Sequence, residues 1–158
     1  MPRTAETSSY CFNHTMIRVK DPQVSIKFYT EFLGMDLIDQ HTGGDFTLYF
    51  LGYDNGEGLS AEEKATRRFS REGILELTHN HGTESDPNFK GYASGNEETG
   101  RGFGHIAIGV DDVQKASDRL EALGVKFKKR PQDGKMKHIA FILDPDGYWV
   151  ELVPRKNF

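Results

Sequence analysis

Residues 14–20 alternate strictly, with Thr15, Ile17 and Val19 on one side and His14, Met16, Arg18 and Lys20 on the other. A period of two with one apolar side predicts a strand packed on a core by one face. Asp21-Pro22 follows, an N-cap and a first-turn proline, and Val24, Phe28 and Phe32 then recur every four residues up to Gly34. This change of period predicts a helix with those three side chains inward, ended by the glycine. Short strands are predicted at about 35–39, 46–51 and 73–79. The same order then starts again at His105: a strand, a helix capped by Asp111 or Asp112, and strands at 125–129, 138–143 and 148–153. Val113, Ala116, Leu120 and Leu123 are the inward positions of that second helix, with Gly124 as its stop. The chain therefore reads as α+β, with the order β-α-β-β-β occurring twice.

The two halves match residue by residue as well as element by element. His14 and His105 each open a strand, an Asp follows seven residues on in each (Asp21, Asp112), and a Leu-Gly pair ends each helix (Leu33-Gly34, Leu123-Gly124). Each half closes on a glutamate inside an apolar strand, Glu76 in Ile74-Leu75-Glu76-Leu77-Thr78 and Glu151 in Trp149-Val150-Glu151-Leu152-Val153. Internal repetition of this kind dictates architecture before anything else. A buried carboxylate is costly unless charge or metal compensates it, and two at equivalent positions are harder to excuse as solvent-facing accidents than one. Two imidazoles and two carboxylates related by an approximate two-fold form a ligand set for one divalent cation. His41, His79, His81 and His138 have no counterpart in the other repeat and are left outside the set.

Strand geometry extends this site. Arg18 lies four residues beyond His14, Asn80 four beyond Glu76 and Arg101 four before His105. Four strand residues span roughly 13 Å, so these groups are expected to line a groove leading away from the metal, suited to a long anionic ligand. Gly134-Lys135-Met136-Lys137 reads either as a mobile basic loop over that groove or as an ordinary solvated run.

Around these modules, residues 1–11 are expected to form a flexible arm. The first module runs over 12–80, the connector over 81–103 and the second module over 104–158; Gly52 to Arg71 is an insert found only in the first module. At 158 residues the chain is long enough for a substantial core, and its net charge of −4 argues against nucleic acid as the main partner. A single cysteine, Cys11, excludes an intrachain disulfide and favours a reducing compartment. No apolar signal segment or membrane-length stretch is visible, so a cytoplasmic location is the expectation. Asn13-His14-Thr15 fits a glycosylation sequon and is read as a chance match. Gly100-Arg101-Gly102-Phe103-Gly104 precedes a strand instead of leading from one into a helix, which excludes a dinucleotide fingerprint. No G-x-S-x-G or comparable nucleophile setting occurs.

Four segments carry a family resemblance. Phe12 to Pro22, Leu75-Glu76-Leu77-Thr78-His79-Asn80, Arg101-Gly102-Phe103-Gly104-His105-Ile106 and Asp144 to Glu151 closely resemble the glyoxalase I (lactoylglutathione lyase) family of the vicinal-oxygen-chelate superfamily, over about residues 12–154. The resemblance implies a single glyoxalase-type domain over 12–158, its paired βαβββ modules forming a half-open, eight-stranded mixed sheet. It implies a homodimer with metal sites at the interface, each site taking ligands from two modules among His14, Glu76, His105 and Glu151. Arg18, Asn80 and Arg101 are implied to hold glutathione, with Lys135 and Met136 on the closing loop. The implied substrate is the hemithioacetal of methylglyoxal and glutathione, isomerised through an enediolate to S-D-lactoylglutathione, with Glu151 as base and Glu76 as its twin. In one respect the chain departs from the pattern. Animal-type members with a long insert carry glutamine where this chain has His14, whereas histidine there is typical of other members, including short bacterial forms that prefer nickel. Zinc is the favoured expectation and nickel the alternative. The competing readings are a ring-cleaving dioxygenase with two histidines and one glutamate around iron, a thioester epimerase, and a metal-free binding or resistance module of the same fold.

Overall fold

The structure, a computed structural model, describes residues 4–53, 58–98 and 100–156. Residues 1–3 of the expected arm, 54–57 of the insert, 99 of the connector and 157–158 of the second module lie outside the described residues. The chain divides into two compact units. One comprises the residues up to Pro22 together with Tyr29–Pro87; the other comprises Gln23–Phe28 and the residues from Asn88 onward.

The first unit holds a four-stranded mixed sheet in the order β1-β4-β3-β2, where β1 is His14–Val19, β2 Asp36–Thr42, β3 Phe46–Gly52 and β4 Ile74–Asn80. β1 runs parallel to β4, and the other pairs are antiparallel. The alternation predicted from residues 14–20 is realised: Ile17 and Val19 are buried while His14, Met16 and Arg18 are exposed. Their ladder neighbours extend the apolar side through Leu75, Leu77, Tyr49 and Leu51, all buried. The second unit repeats the plan in the order β5-β8-β7-β6, with β5 His105–Val110, β6 Phe127–Lys129, β7 Ala140–Leu143 and β8 Trp149–Pro154. Its buried side carries Ile108, Ala140, Ile142, Val150 and Leu152. The strands are thus hydrogen-bonded as two four-stranded sheets, and the chain is α+β with two βαβββ modules.

The helices depart from expectation in instructive ways. The first begins as α1 (Pro22–Lys27) and continues as a π-turn over Phe28–Phe32. A π-turn admits one extra residue, which accounts for Leu33-Gly34 following its histidine one residue later than Leu123-Gly124 does. The inward side is correspondingly shifted: Val24 is 50% exposed, contrary to the four-residue pattern, while Ser25 and Tyr29 are fully buried. Ser25 Oγ donates to Asp146 Oδ2 at 3.2 Å, so α1 is tied to the turn before β8 within the second unit. In α3 (Val113–Ala122) the cap is Asp112, whose carboxylate accepts from the Lys115 N–H at 3.0 Å. Val113 and Leu120 face inward as expected, but Ser117 is buried and Leu123, at the C-cap, is exposed.

The insert is structured where described. Ala61–Arg67 form α2, followed by a 3₁₀ turn over Arg68–Ser70. Ser60 and Glu63 make a capping box at its start. The Ser-x-x-Glu spacing is a signal for it that the sequence reading passed over.

Candidate metal centre

Each repeat positions its histidine and glutamate by the same register. In the first, β1 lies parallel to β4 with Met16 opposite Glu76, which sets His14 one pleat away on the same side. In the second, Ala107 is opposite Glu151 and His105 again lies one pleat away. The outcome is two equal pairs: His14 Nε2 to Glu76 Oε2 is 3.2 Å, and His105 Nε2 to Glu151 Oε2 is 3.2 Å. The glutamate side chains are mostly buried, 12% and 16% exposed, and the histidines more open, 37% and 42%. Thr78 Oγ1 donates to the other oxygen of Glu76 at 3.4 Å.

An aromatic ring completes each pair. Phe50 is the β3 partner of Glu76, and Phe141 is the β7 partner of Glu151. Each meets the local histidine edge-on, with ring centroids 6.3 Å apart for His14–Phe50 and 5.3 Å for His105–Phe141. The repeat thus extends beyond the histidine and glutamate to the apolar wall beside them. In the first unit the insert adds Arg68, whose guanidinium lies 4.5 Å from the Phe50 centroid and pairs with Asp39.

The donor chemistry suits a divalent cation. Imidazole nitrogen and carboxylate oxygen bind zinc at about 2.0–2.2 Å, so two such donors on one ion stand roughly 2.9–3.4 Å apart. Both observed separations fall in that interval. Among the described residues no group of three or more His, Cys, Asp or Glu side chains is gathered to hold an ion, and each pair offers two donors.

The other expected site residues are distributed between the units. Arg18, exposed on β1, and Asn80, half-buried at the end of β4, lie on the His14–Glu76 side of the first sheet. In the second unit Arg101 is exposed in the connector just before β5. That stretch is bent back on itself by the Gly102 N–H donating to the Gly95 carbonyl at 3.0 Å. A Cβ on Gly95 would lie 2.2 Å from the Phe103 carbonyl oxygen, so the bend requires glycine there. Lys135 and Met136 are exposed in the loop between β6 and β7. That loop is gathered around Lys129, whose ammonium donates to the carbonyls of Arg130 (3.1 Å), Met136 (2.6 Å) and Ile139 (2.9 Å). Sequence reasoning had no means of finding this, since only the fold brings the three carbonyls together. Two of the histidines left aside have structural partners: buried His79 meets Glu84 at 2.7 Å, and His81 meets Thr47 Oγ1 at 2.9 Å.

Residues 12–152 match the family model described as Glyoxalase/Bleomycin resistance protein/Dioxygenase superfamily. The chain is 54% identical to a lactoylglutathione lyase of Schizosaccharomyces pombe over 99% of its own length, spanning about half (51%) of that longer protein. It is 49% identical to a lactoylglutathione lyase of Pseudomonas putida, over 93% of this chain and 86% of that one. Among solved structures, the glyoxalase I of Leishmania major superimposes with a TM-score of 0.66 at 34% identity, over 92% of this chain and 87% of that one. With its two βαβββ modules and its duplicated histidine–glutamate pairs, the chain belongs to the glyoxalase/bleomycin resistance protein/dioxygenase superfamily, within the glyoxalase I (lactoylglutathione lyase) family.

Proposed function

We propose that the chain isomerises the hemithioacetal of methylglyoxal and glutathione to S-D-lactoylglutathione in the cytoplasm, using one divalent metal per site. The observation that carries this reading is the equality of the two pairs, His14–Glu76 and His105–Glu151, each at 3.2 Å on the same register. A half-set of two donors in each repeat needs a second half-set. In this reading a homodimer supplies it, with a first-repeat pair and a second-repeat pair meeting on one ion. Zinc is favoured and nickel is the alternative, because imidazole and carboxylate serve both. When bound, the ion supplies Lewis-acid stabilisation of the negative charge that develops on the substrate oxygens.

The protein's own groups do the rest. Glu151 takes the proton from C1 and returns it at C2, while the C1 hydroxyl proton passes to the C2 oxygen, so that the product is an isomer of the substrate. Its largely buried position beside Phe141 keeps bulk water from competing for that proton. Glu76 occupies the equivalent place for the opposite face of the substrate. Arg18, Asn80 and Arg101 hold the carboxylates and amides of the glutathione portion, and the loop of Lys135 and Met136 closes over it. Binding energy from this remote part of the substrate holds the reacting carbons in line with the base.

The test is the appearance of thioester absorbance from methylglyoxal plus glutathione, before and after chelation and after return of zinc or nickel. Activity lost to chelator and restored by one of the ions is expected. No thioester signal with either metal overturns the proposal in favour of an epimerase or a binding module.

A further inference from the structure

β1 and β4 run parallel, so their C-terminal ends lie side by side within the first unit. Arg18 is opposite Thr78, which puts Asn80 one pleat further along on the same side of the sheet. Beyond this point the ladder has nothing left to pair: β1 leaves toward α1, and β4 enters the turn at 81–85. Thr83 closes that end. Its half-buried Oγ1 lies 2.8 Å from the Lys20 carbonyl and 3.0 Å from the Asn80 carbonyl. Carbonyls only accept, so the single hydroxyl proton bridges the two strand ends. The Thr83 N–H adds a bond to the Asn80 carbonyl at 3.3 Å. A second tie fixes the turn beside it. Glu84 Oε2 accepts from the Gly82 N–H at 2.9 Å and meets Nε2 of buried His79 at 2.7 Å.

We infer that Thr83 is a positioning residue that holds the separation of Arg18 and Asn80 by stapling the ends of β1 and β4. The inference rests on the function proposed above, in which both residues grip the glutathione portion of the substrate. A spacing set before the substrate arrives spares the ordering cost that binding energy otherwise meets. In that reading neither group reaches the reacting carbons, so the staple acts on affinity and leaves the proton transfer untouched.

Thr83→Val keeps the shape and deletes the donor, whereas Thr83→Ser keeps the donor. With methylglyoxal plus glutathione and metal-loaded protein, Thr83→Val should raise KM about 3–10-fold, the range of one hydrogen bond, with kcat within about 2-fold. Thr83→Ser should restore wild-type values. Amides of residues 79–86 should exchange faster in Thr83→Val and not in Thr83→Ser. The readout that a merely structural role would not move is coupling. In an Arg18→Ala/Asn80→Ala background, the effect of Thr83→Val on kcat/KM should shrink below about 2-fold, because no spacing remains to be held. An undiminished effect in that background, an unchanged KM in Thr83→Val, or a loss confined to kcat overturns the inference. If Thr83→Val does not fold, Glu84→Ala loosens the same turn from an exposed position and carries the same expected and overturning results. Wild-type protein without turnover on zinc or nickel overturns the proposed function and this inference with it. Full wild-type turnover with an unchanged KM in the variant overturns the inference alone.

Discussion

Phe50 stands directly across the β3–β4 ladder from Glu76, and its ring is set perpendicular to the His14 imidazole. The ring is 4% exposed and packs with Ile38, Ile74 and Leu48, while Arg68 from the insert lies over its face. One side chain therefore serves as core, as wall of the carboxylate and as seat for the insert. Phe50→Ala should cost about 3–5 kcal/mol in urea unfolding. Phe50→Leu should cost clearly less, since it retains apolar bulk. A loss below about 1 kcal/mol for the alanine variant would show that the ring is not packed as described.

Glu151→Gln preserves size and the ability to accept a hydrogen bond but cannot take a proton. Turnover should fall by about 10²–10⁴-fold with unfolding unchanged. Glu76→Gln should be compared in the same assay with each hemithioacetal epimer, because the twin repeat predicts that the two carboxylates divide the faces of the substrate. Near wild-type turnover in Glu151→Gln would remove it as the base.

Arg18 is exposed on the His14–Glu76 side of β1, opposite Thr78 and one pleat beyond Met16. In the proposed function, its distance along the strand from His14 puts it at the remote end of the substrate. Arg18→Ala should raise KM with kcat little altered, the mark of an interaction made equally in ground and transition states. A drop in kcat at constant KM would place the guanidinium at the reacting carbons.

The repeat, the two histidines and the two glutamates were legible because strand alternation and duplication are local signals that the fold preserves. His14 and Glu76 were associated by their places in the repeat, whereas their actual meeting follows from the β1–β4 register, in which Met16 lies opposite Glu76. Other features depend on what the chain meets at long range. Phe28 is inward as expected, but Ser25 and Tyr29 share that side in place of Val24, and no periodicity announces the π-turn that follows α1. Asn13, whose Nδ2 donates to the Arg68 and Arg71 carbonyls, and Lys129 both act through backbone carbonyls, which every residue carries and no motif marks. Ser60 is the contrary case: the Ser-x-x-Glu spacing was present, but a Gly-, Glu- and Lys-rich stretch reads as loop.

Lys129 gathers the loop between β6 and β7 by donating to three of its carbonyls. Charge-assisted bonds of this kind contribute about 1.5–3 kcal/mol each when well formed. Lys129→Met keeps the stem and deletes the donors. Amide exchange across residues 131–138 should accelerate at least 10-fold, and KM for the hemithioacetal should rise as the Lys135–Met136 segment loses its fixed path. Unchanged exchange would mean that the loop is held by other contacts.

The insert carries its own acid sensitivity. Glu63 Oε2 accepts from the Ser60 backbone N–H at 2.9 Å and from the Ser60 hydroxyl at 2.8 Å, and the Glu63 N–H donates back to Ser60 Oγ at 3.3 Å. The Ser60 backbone N–H, and secondarily its hydroxyl, hold the Glu63 carboxyl below the usual range, with Arg67 adding a smaller pull in the same direction. A depressed folded-state pKa stabilises the helix above the ordinary glutamate value, and that contribution is lost as pH falls through the lowered one. Exchange of the α2 amides, read in urea-free buffer and corrected for intrinsic rates, should therefore quicken as pH drops below about 4.3. Ser60→Ala should open α2 at every pH, by about 0.5–2 kcal/mol, a roughly 2–30-fold loss of protection. It should also flatten the acid response, because one of the two bonds favouring the ionised carboxyl is gone. A variant with wild-type protection and a wild-type acid profile would show that the box does not hold the helix start.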